Sequence, residues 1–383
     1  MRIHNKLAIA LSFVLTVVIG CGEESAPAFE DTEPNEERVS ITVIDSIGVE
    51  IGDSNYVFAS IDALTHGPDG NIYVMDRGAC CVKVYSPRGE FVRTIAREGN
   101  GPGEITASFA MAVLGDGRIS ICAPMQGGIH NFLPDGEWEG LSAEFTNNPP
   151  MKMVGADSNA YIALKLTIDV VDGELISSFL IGRYEEDNEP SVLYYETDFQ
   201  FDPTDLTGLL NQTLFSHEFF ADRSGNVYIA PYSTEDYIVN VFDRDGNQLL
   251  HIEKEVPQVE KSPGEIQDEK AWMEAWLRNI GAQGVVIEYN PEPYRWMISD
   301  IGCDSEDRIW VRRGTELAPV FDVYDAQGNS LFVAEVEGIG DDGQFWDFII
   351  DEYGIMAYSL NPDYYSKIWL MEISEEKVEW ESM

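Results

Sequence analysis

Basic residues are scarce in this 383-residue chain. Lysine and arginine together number 24, against 68 aspartate and glutamate residues, which gives a formal net charge of −44 at pH 7. Proteins that bind DNA or RNA need a net basic surface, and adsorption to anionic lipid headgroups needs basic clusters. The composition therefore argues against nucleic acid as a partner and predicts a surface that its carboxylates keep soluble.

Histidine is scarce too, with five residues in the chain. His66, His130, His217 and His251 are far apart in sequence, so a three-histidine metal site is not expected. No Gly-x-Ser-x-Gly elbow is present. Residues 243–247 resemble the start of a calcium loop but lack its distal glutamate, and we interpret them as a turn. No catalytic residue, metal site or cofactor is predicted.

Long apolar runs are absent outside the N-terminus. Arg2 and Lys6 precede apolar residues 7–19, a pattern typical of a secretory signal and too short for a comfortable bilayer span. Val18-Ile19-Gly20-Cys21 resembles a bacterial lipobox. This predicts removal of residues 1–20 and lipidation of Cys21. An ordinary signal peptide followed by an incidental cysteine is the alternative.

Residues 21–39 are acidic, contain proline and have almost no large apolar side chain. Such a composition is typical of a flexible tether, and it leaves residues 40–383 as one folded domain. By resemblance to lipoprotein sorting in Gram-negative bacteria, Gly22 favours the outer membrane. We therefore expect a protein of the bacterial cell envelope that contacts the membrane through a lipid on Cys21.

Four cysteines remain for the folded domain: Cys80, Cys81, Cys122 and Cys303. An exported chain permits disulfides. A bridge from Cys80 or Cys81 to Cys122 is one interpretation, and buried free thiols are the other. No CxxC pair exists, so a zinc-ribbon or thioredoxin-type site is not indicated.

A turn followed by an alternating apolar strand recurs six times along the chain. The copies lie at residues 69–74, 116–121, 158–163, 224–229, 306–311 and 352–357. A second turn follows four of them after 19 or 21 residues, at Gly89, Gly136, Gly246 and Gly328. The uninterrupted period, Gly70 to Gly117, is 47 residues, close to the length of a four-stranded propeller blade. The pattern predicts an all-β propeller.

The segments DGNIYVMD, VKVYSPRGEFVRTI and GNGPGEI of the first repeat resemble the NHL-like six-bladed β-propeller lipoproteins of bacteria. The resemblance covers roughly residues 40–383. It implies six blades and a lone N-terminal strand, Ser40–Ile44, that joins the last blade and hides its edge. The family shares a scaffold and no common activity, so little function transfers with the fold.

Two insertions depart from the period. Residues 204–213 are expected to form a loop. Residues 262–295, between blades four and five, contain a helix start at Ser262 and a stop at Gly281. Ile266, Trp272, Trp276, Leu277 and Ile280 recur between them at helical spacing. The helix either packs its tryptophan face on the propeller or forms a lid or partner surface over one end of the channel.

The strand that precedes each repeat is predicted to line the central channel, and in the third and sixth repeats this strand is predicted at residues 153–156 and 346–350. Five ionisable residues lie on these predicted strands. They are Asp62, His217, Glu218, Asp300 and Asp347. They either face the channel or form hydrogen bonds between neighbouring blades.

Loops between the second and third strands of the blades carry arginine and aromatic residues against the acidic background. The candidates for ligand binding are Asp76, Arg77, Tyr232, Arg312, Arg313 and Tyr364. By analogy with the fold these loops open at one mouth, where three arginines beside aromatic rings would suit a carboxylate- or sugar-bearing ligand. Surface ion pairing with neighbouring acids is the alternative.

The sequence thus favours an envelope lipoprotein, with a monomer expected, whose propeller binds a glycan, peptide or protein partner. One alternative is a metal-dependent enzyme of the lactonase or lyase type with its site in the channel. A second alternative is a structural platform for assembly.

Overall fold

The computed structural model describes residues 37–143, 148–171, 174–185, 187–200, 217–279, 289–338, 343, 345–361 and 364–374. These residues form an all-β, propeller-like fold with a single α-helix among them. The expected loop at 204–213 and the helix stop at Gly281 lie outside the described residues.

Four sheets contain four strands each, paired antiparallel in chain order. The first comprises β2 (Ile61–His66), β3 (Ile72–Asp76), β4 (Cys81–Tyr85) and β5 (Phe91–Ile95). The second comprises β6 (Ala110–Val113), β7 (Ile119–Ala123), β8 (Gly128–Phe132) and β9 (Trp138–Ser142). The third comprises β10 (Pro150–Gly155), β11 (Tyr161–Val171), β12 (Glu174–Tyr184) and β13 (Val192–Gln200). The fourth comprises β14 (Glu218–Ala221), β15 (Val227–Ala230), β16 (Tyr237–Phe242) and β17 (Gln248–Lys254).

A fifth sheet has eight strands, in the order β18-β19-β20-β21-β1-β24-β23-β22. Its members are β1 (Arg38–Ile47), β18 (Ile298–Cys303), β19 (Ile309–Arg313), β20 (Val320–Tyr324), β21 (Ser330–Val336), β22 (Trp346–Asp351), β23 (Gly354–Ser359) and β24 (Ile368–Ile373). Strand β1 pairs antiparallel with β24, as the sequence predicts for the N-terminal strand. It also pairs in parallel with β21, from Arg38 opposite Val333 to Ile41 opposite Val336, which the sequence did not predict.

Each run of four consecutive antiparallel strands is called a set, and the eight-stranded sheet contains two such sets, β18–β21 and β22–β24 with β1. The first strands of successive sets contact one another around a ring. Contacts join β2 to β6, β6 to β10, β10 to β14, β14 to β18, β18 to β22, and β22 back to β2. The core is correspondingly divided into clusters between neighbouring sheets. Met75 and Val82 of the first sheet, for example, pack with Met111 and Ile121 of the second. Because a core cluster lies between each pair of neighbouring sheets, both faces of each sheet are buried. A channel remains at the centre of the ring.

The repeated turns explain why these segments form hairpins. Asn71 donates its backbone N–H to Asp69 Oδ1 at 3.1 Å, and Gly70 adopts a φ of +75° that glycine tolerates without strain. Asp307 stands at the same point of a later copy with a φ of +58°. The segment 243–247 is a turn, as the sequence predicts, because Asn247 donates its backbone N–H to Asp243 Oδ1 at 2.8 Å.

The α-helix, α1 (Pro263–Asn279), follows β17 in the chain and precedes β18. Ser262 caps it reciprocally: Glu265 N donates to Ser262 Oγ at 3.3 Å, and Ser262 N donates to Glu265 Oε2 at 3.0 Å. Met273 and Ala275 are buried. No helix of the described part is long and apolar enough to cross a membrane.

All four cysteines of the folded domain are free thiols, with Cys81, Cys122 and Cys303 buried and Cys80 half-buried. The disulfide considered between Cys80 or Cys81 and Cys122 is therefore absent, and the alternative interpretation describes them. Burial raises the pKa of the Cys122 thiol to about 12, which keeps it protonated and unreactive.

Candidate functional site

The channel is a cavity of about 440 Å³ enclosed by the first strands of all the sets. Helix α1 lies beside one end of it, where Trp272 contributes to the lining. Trp272 Nε1 donates a hydrogen bond to Leu360 O at 2.9 Å, which fixes the helix to the loop after β23. Aromatic side chains and charged groups therefore meet at this end of the channel.

Two carboxylates of the channel are each held by a tyrosine hydroxyl. Tyr232 OH donates to Glu218 Oε1 at 2.9 Å, and Tyr358 OH donates to Asp347 Oδ2 at 2.7 Å. Burial raises the pKa of Tyr232, and the charge on Glu218 raises it further, so the phenol keeps its proton and stays a donor. Burial likewise raises the pKa of Asp347.

Lys152 on β10 is the cation that balances these acids. Its Nζ lies 2.5 Å from Glu218 Oε2 and 5.5 Å from the centre of the Phe219 ring. Burial disfavours the charge on Lys152, but Glu218, Asp347 and Asp300 outweigh that effect and raise its pKa. The sequence interpretation missed Lys152 because it began this strand at Met153, whereas β10 begins at Pro150.

Asp300 connects two neighbouring first strands. Its carboxylate accepts the backbone N–H of Ile301 at Oδ1 and that of Phe348 at Oδ2, both at 2.8 Å. The second bond joins β18 to β22. This geometry matches the alternative in which ionisable residues of the first strands tie neighbouring blades together. Asp62 is also engaged, since its Oδ2 accepts from Arg77 Nη1 at 2.9 Å.

His217 is buried beside the channel with a defined tautomer. Its Nδ1 accepts the backbone N–H of Tyr232 at 3.1 Å, so the ring proton sits on Nε2. The Tyr195 ring packs edge-on against it at 4.7 Å. Burial lowers the pKa of His217 to about 4, which makes it a neutral N–H donor at neutral pH.

The arginines predicted at the mouth are already engaged within the protein. Arg312 is buried and donates to the carbonyl oxygens of Trp346 and Gly343. Arg313 turns away from it and binds Asp322 Oδ1 through Nη2 at 2.6 Å. The two are consecutive residues at the end of β19, and consecutive side chains of a strand point to opposite faces.

Asp76 occupies a structural position. It is fully buried, and its carboxylate accepts the backbone N–H groups of Ala59, Ser60 and Ala79 at 3.1–3.3 Å. Its Oδ2 also lies 3.2 Å from Lys83 Nζ. These contacts hold the segment that leads into β2, so the Asp76 carboxylate is occupied within the protein.

An open groove of about 710 Å³ lies beside the helix. Trp272 and Trp276 form one part of its wall, and Tyr364, which is half exposed, forms another. Arg77 also lines it. Of the predicted mouth residues, Arg77 and Tyr364 thus face this groove, whereas Tyr232 and Arg312 face the channel.

Tryptophans that the sequence interpretation did not select line the channel near the helix. Trp296 stacks on Tyr232 with ring centres 4.9 Å apart, and Trp346 packs on Trp369 at 4.1 Å. Trp296 directly follows the insertion predicted at residues 262–295, and Trp346 begins a strand predicted to line the channel, of which only the ionisable residue Asp347 was selected.

At the opposite end of the channel, Arg223 reaches across from the turn between β14 and β15. Its Nη2 donates to Gly67 O at 3.0 Å, and its Nη1 lies 2.7 Å from Glu352 Oε1. The guanidinium sits 4.3 Å from the centre of the Tyr353 ring. One side chain therefore links the turns of three sets of strands.

Within the described ranges, no three His, Cys, Asp or Glu side chains converge closely enough to hold a metal ion.

No protein-family model matches the chain, and no curated protein matches it in sequence. Among solved structures, a member of the DUF4221 family from Bacteroides vulgatus is 9% identical, with coverage of 89% of this chain and 99% of that one and a TM-score of 0.49. A gluconolactonase from Xanthomonas campestris is 11% identical, covering 86% and 98% of the two chains, with a TM-score of 0.42. Virginiamycin B lyase from Staphylococcus aureus is 12% identical, covering 88% and 97%, with a TM-score of 0.40. Likenesses this distant carry no argument about which molecule the chain binds.

Proposed function

We propose that the chain is a binding protein that holds a glycan at the helix-covered end of its channel. The observation that carries the proposal is that tryptophan side chains and charged, hydrogen-bonding side chains line one cavity. Lys152 and Glu218 are called the floor of this cavity. Trp272, Trp296 and Trp346 line the same cavity as Lys152 and Glu218.

A sugar suits this combination of walls and floor. The apolar face of a pyranose stacks on an indole ring, and its hydroxyls both donate to carboxylates and accept from ammonium groups. Glu218 and Lys152 already satisfy each other in part, so the floor offers bonds without a large excess of either charge. A peptide is the competing ligand, and the test below includes one.

The protein would act at the cell envelope. Cys21, which lies in a lipobox-like sequence, would carry the lipid. Residues 21–39 would be a tether that keeps the propeller at a distance from the membrane. The placement at the outer membrane rests on Gly22 alone.

The finer interpretation of the fold is a propeller of six blades. In a six-bladed propeller, the eight-stranded sheet would consist of two blades, and β1 would join their outer strands β21 and β24. The closed ring of contacts among the first strands supports this count, as do the six repeats in the sequence.

The proposal is tested with the full-length chain in detergent, first on an array of oligosaccharides and control peptides and then by calorimetry with the sugars it retains. Trp272→Ala is expected to weaken binding about tenfold, which corresponds to ~1.4 kcal/mol. Trp138→Ala is the matched control, since Trp138 is an exposed tryptophan of β9 outside the channel lining. Retention of peptides alone, or equal affinity in the two variants, would contradict the proposal.

A further inference from the structure

Three buried polar atoms without a protein hydrogen-bond partner in the described part belong to residues that line the channel. They are His217 Nε2, Ser299 Oγ and Arg312 Nε. His217 and Arg312 are both more than nine-tenths buried, with exposed fractions of 8% and 3%. Buried polar atoms are nearly always paired, and an unpaired one destabilises the fold. Other buried polar atoms of the described part are also unpaired, but these three belong to residues that border one cavity, where a bound ligand would pair with them.

All three atoms can donate a hydrogen bond. The tautomer of His217 leaves its proton on Nε2, because Nδ1 accepts from Tyr232 N. Arg312 Nε carries a proton while the two terminal nitrogens bind carbonyl oxygens. The hydroxyl of Ser299 can donate or accept. A ligand that pairs with this set must present acceptor atoms.

The carboxylates of the same channel restrict which acceptor fits. Glu218, Asp300 and Asp347 line the cavity together with Lys152 and Arg312, so a charged ligand of either sign finds no large excess of counter-charge there. A hydroxyl group both accepts from the donors and donates to the carboxylates. The chemistry that satisfies both sets is therefore a neutral polyol.

A side cavity of about 160 Å³ opens from the channel beneath helix α1. Ser299 and Arg312 line both cavities, and so do Trp272 and Trp296. Pockets for drug-sized ligands measure about 300–1,000 Å³, so this space suits about one ring. The two indoles form part of its wall, and Ser299 and Arg312 contribute unpaired donors. The ion pairs Lys261–Glu269 and Arg295–Glu265 also line it, so the wall carries charges that already compensate each other.

We infer that the side cavity binds one neutral sugar ring of the ligand and that Ser299 is a specificity-determining donor to it. The inference rests on the proposed glycan binding and adds the charge class of the sugar and the place of the ring. Arg312 supplies a further donor to the same ring, whereas His217 lines only the adjoining channel.

Ser299→Ala separates this role from a structural one. The variant loses no protein hydrogen bond, so its melting temperature is expected to stay the same or rise. Its affinity for a neutral oligosaccharide retained by the wild type is expected to fall about threefold to tenfold. Ser177→Ala is the matched control, because Ser177 Oγ on β12 is also buried without a partner and lies outside the channel lining. It should match Ser299→Ala in stability and the wild type in affinity.

A second arm compares glucose, glucuronate and glucosamine as end groups of one oligosaccharide. The glucose form is expected to bind most tightly to the wild type. Unchanged affinity in Ser299→Ala, or equally tight binding of the glucuronate form, would overturn the inference while leaving glycan binding in place. Failure of the wild type to bind any sugar would overturn the proposed function and the inference together.

Discussion

Removal of Asp76 should destabilise the protein more than any other single charge removal in the first sheet. Asp76 is 0% exposed, and the side chain of Lys83, 3.2 Å away, is 8% exposed. Asp76→Ala leaves this ammonium without its counter-ion and releases the N–H groups of Ala59 and Ser60. Breaking a buried ion pair from one side costs about 3–5 kcal/mol, a large part of a typical folding free energy of about 5–15 kcal/mol.

Urea unfolding measures the effect. Asp76→Ala should lower the free energy of unfolding by that amount, which appears as a lower urea midpoint with the slope unchanged. Asp76→Asn, which keeps an acceptor, should lose less. Lys83→Met should also cost less than Asp76→Ala, because the carboxylate keeps its backbone donors. The double variant should be more stable than the sum of the single losses predicts. A cost below about 1 kcal/mol for Asp76→Ala would refute the reasoning.

Three further predictions follow. Cys21→Ser should move the protein from the membrane fraction to the soluble envelope fraction, and a variant that still sediments with membranes after a salt wash would contradict the lipobox. Deletion of residues 40–51 should expose the edges of β21 and β24 and cause aggregation, whereas a soluble variant with an unchanged melting temperature would contradict it. The hydrogen bond from Arg295 lowers the pKa of Glu265 to about 2, so its contribution to helix anchoring is complete above about pH 4.3 and is lost as pH falls towards 2. Tryptophan fluorescence should report that loss, and Glu265→Gln should remove its pH dependence.

The repeated turns made the strands predictable from sequence. Asp69-Gly70-Asn71 and its copies close by local hydrogen bonds, so their conformation depends little on distant residues. Strand limits were less accurate, since the predicted strand 153–156 is Pro150–Gly155 in the structure. Turn chemistry specifies where a strand ends next to the turn, and packing against the neighbouring sheet decides where its other end lies.

The site was harder to predict, because it depends on which way side chains point. Arg312 and Arg313 read as one basic pair in sequence, yet the alternation of β19 sends one to the channel and the other to Asp322. Ser299 carries no sequence signal at all. Its interest comes from an unpaired hydroxyl beside a cavity, which only the arrangement of strands and helix creates.

The double pairing of β1 has a mechanical consequence. Any pull on the chain before Arg38 enters the domain through this strand, which is hydrogen-bonded to β21 on one side and to β24 on the other. Inter-strand hydrogen bonds run across the strand direction. A pull along β1 therefore loads both rows of bonds in shear at once instead of peeling them apart one by one. The strand by which the chain enters the domain is thus held on both sides and is able to bear tension applied at Arg38, such as the proposed lipid anchor would exert.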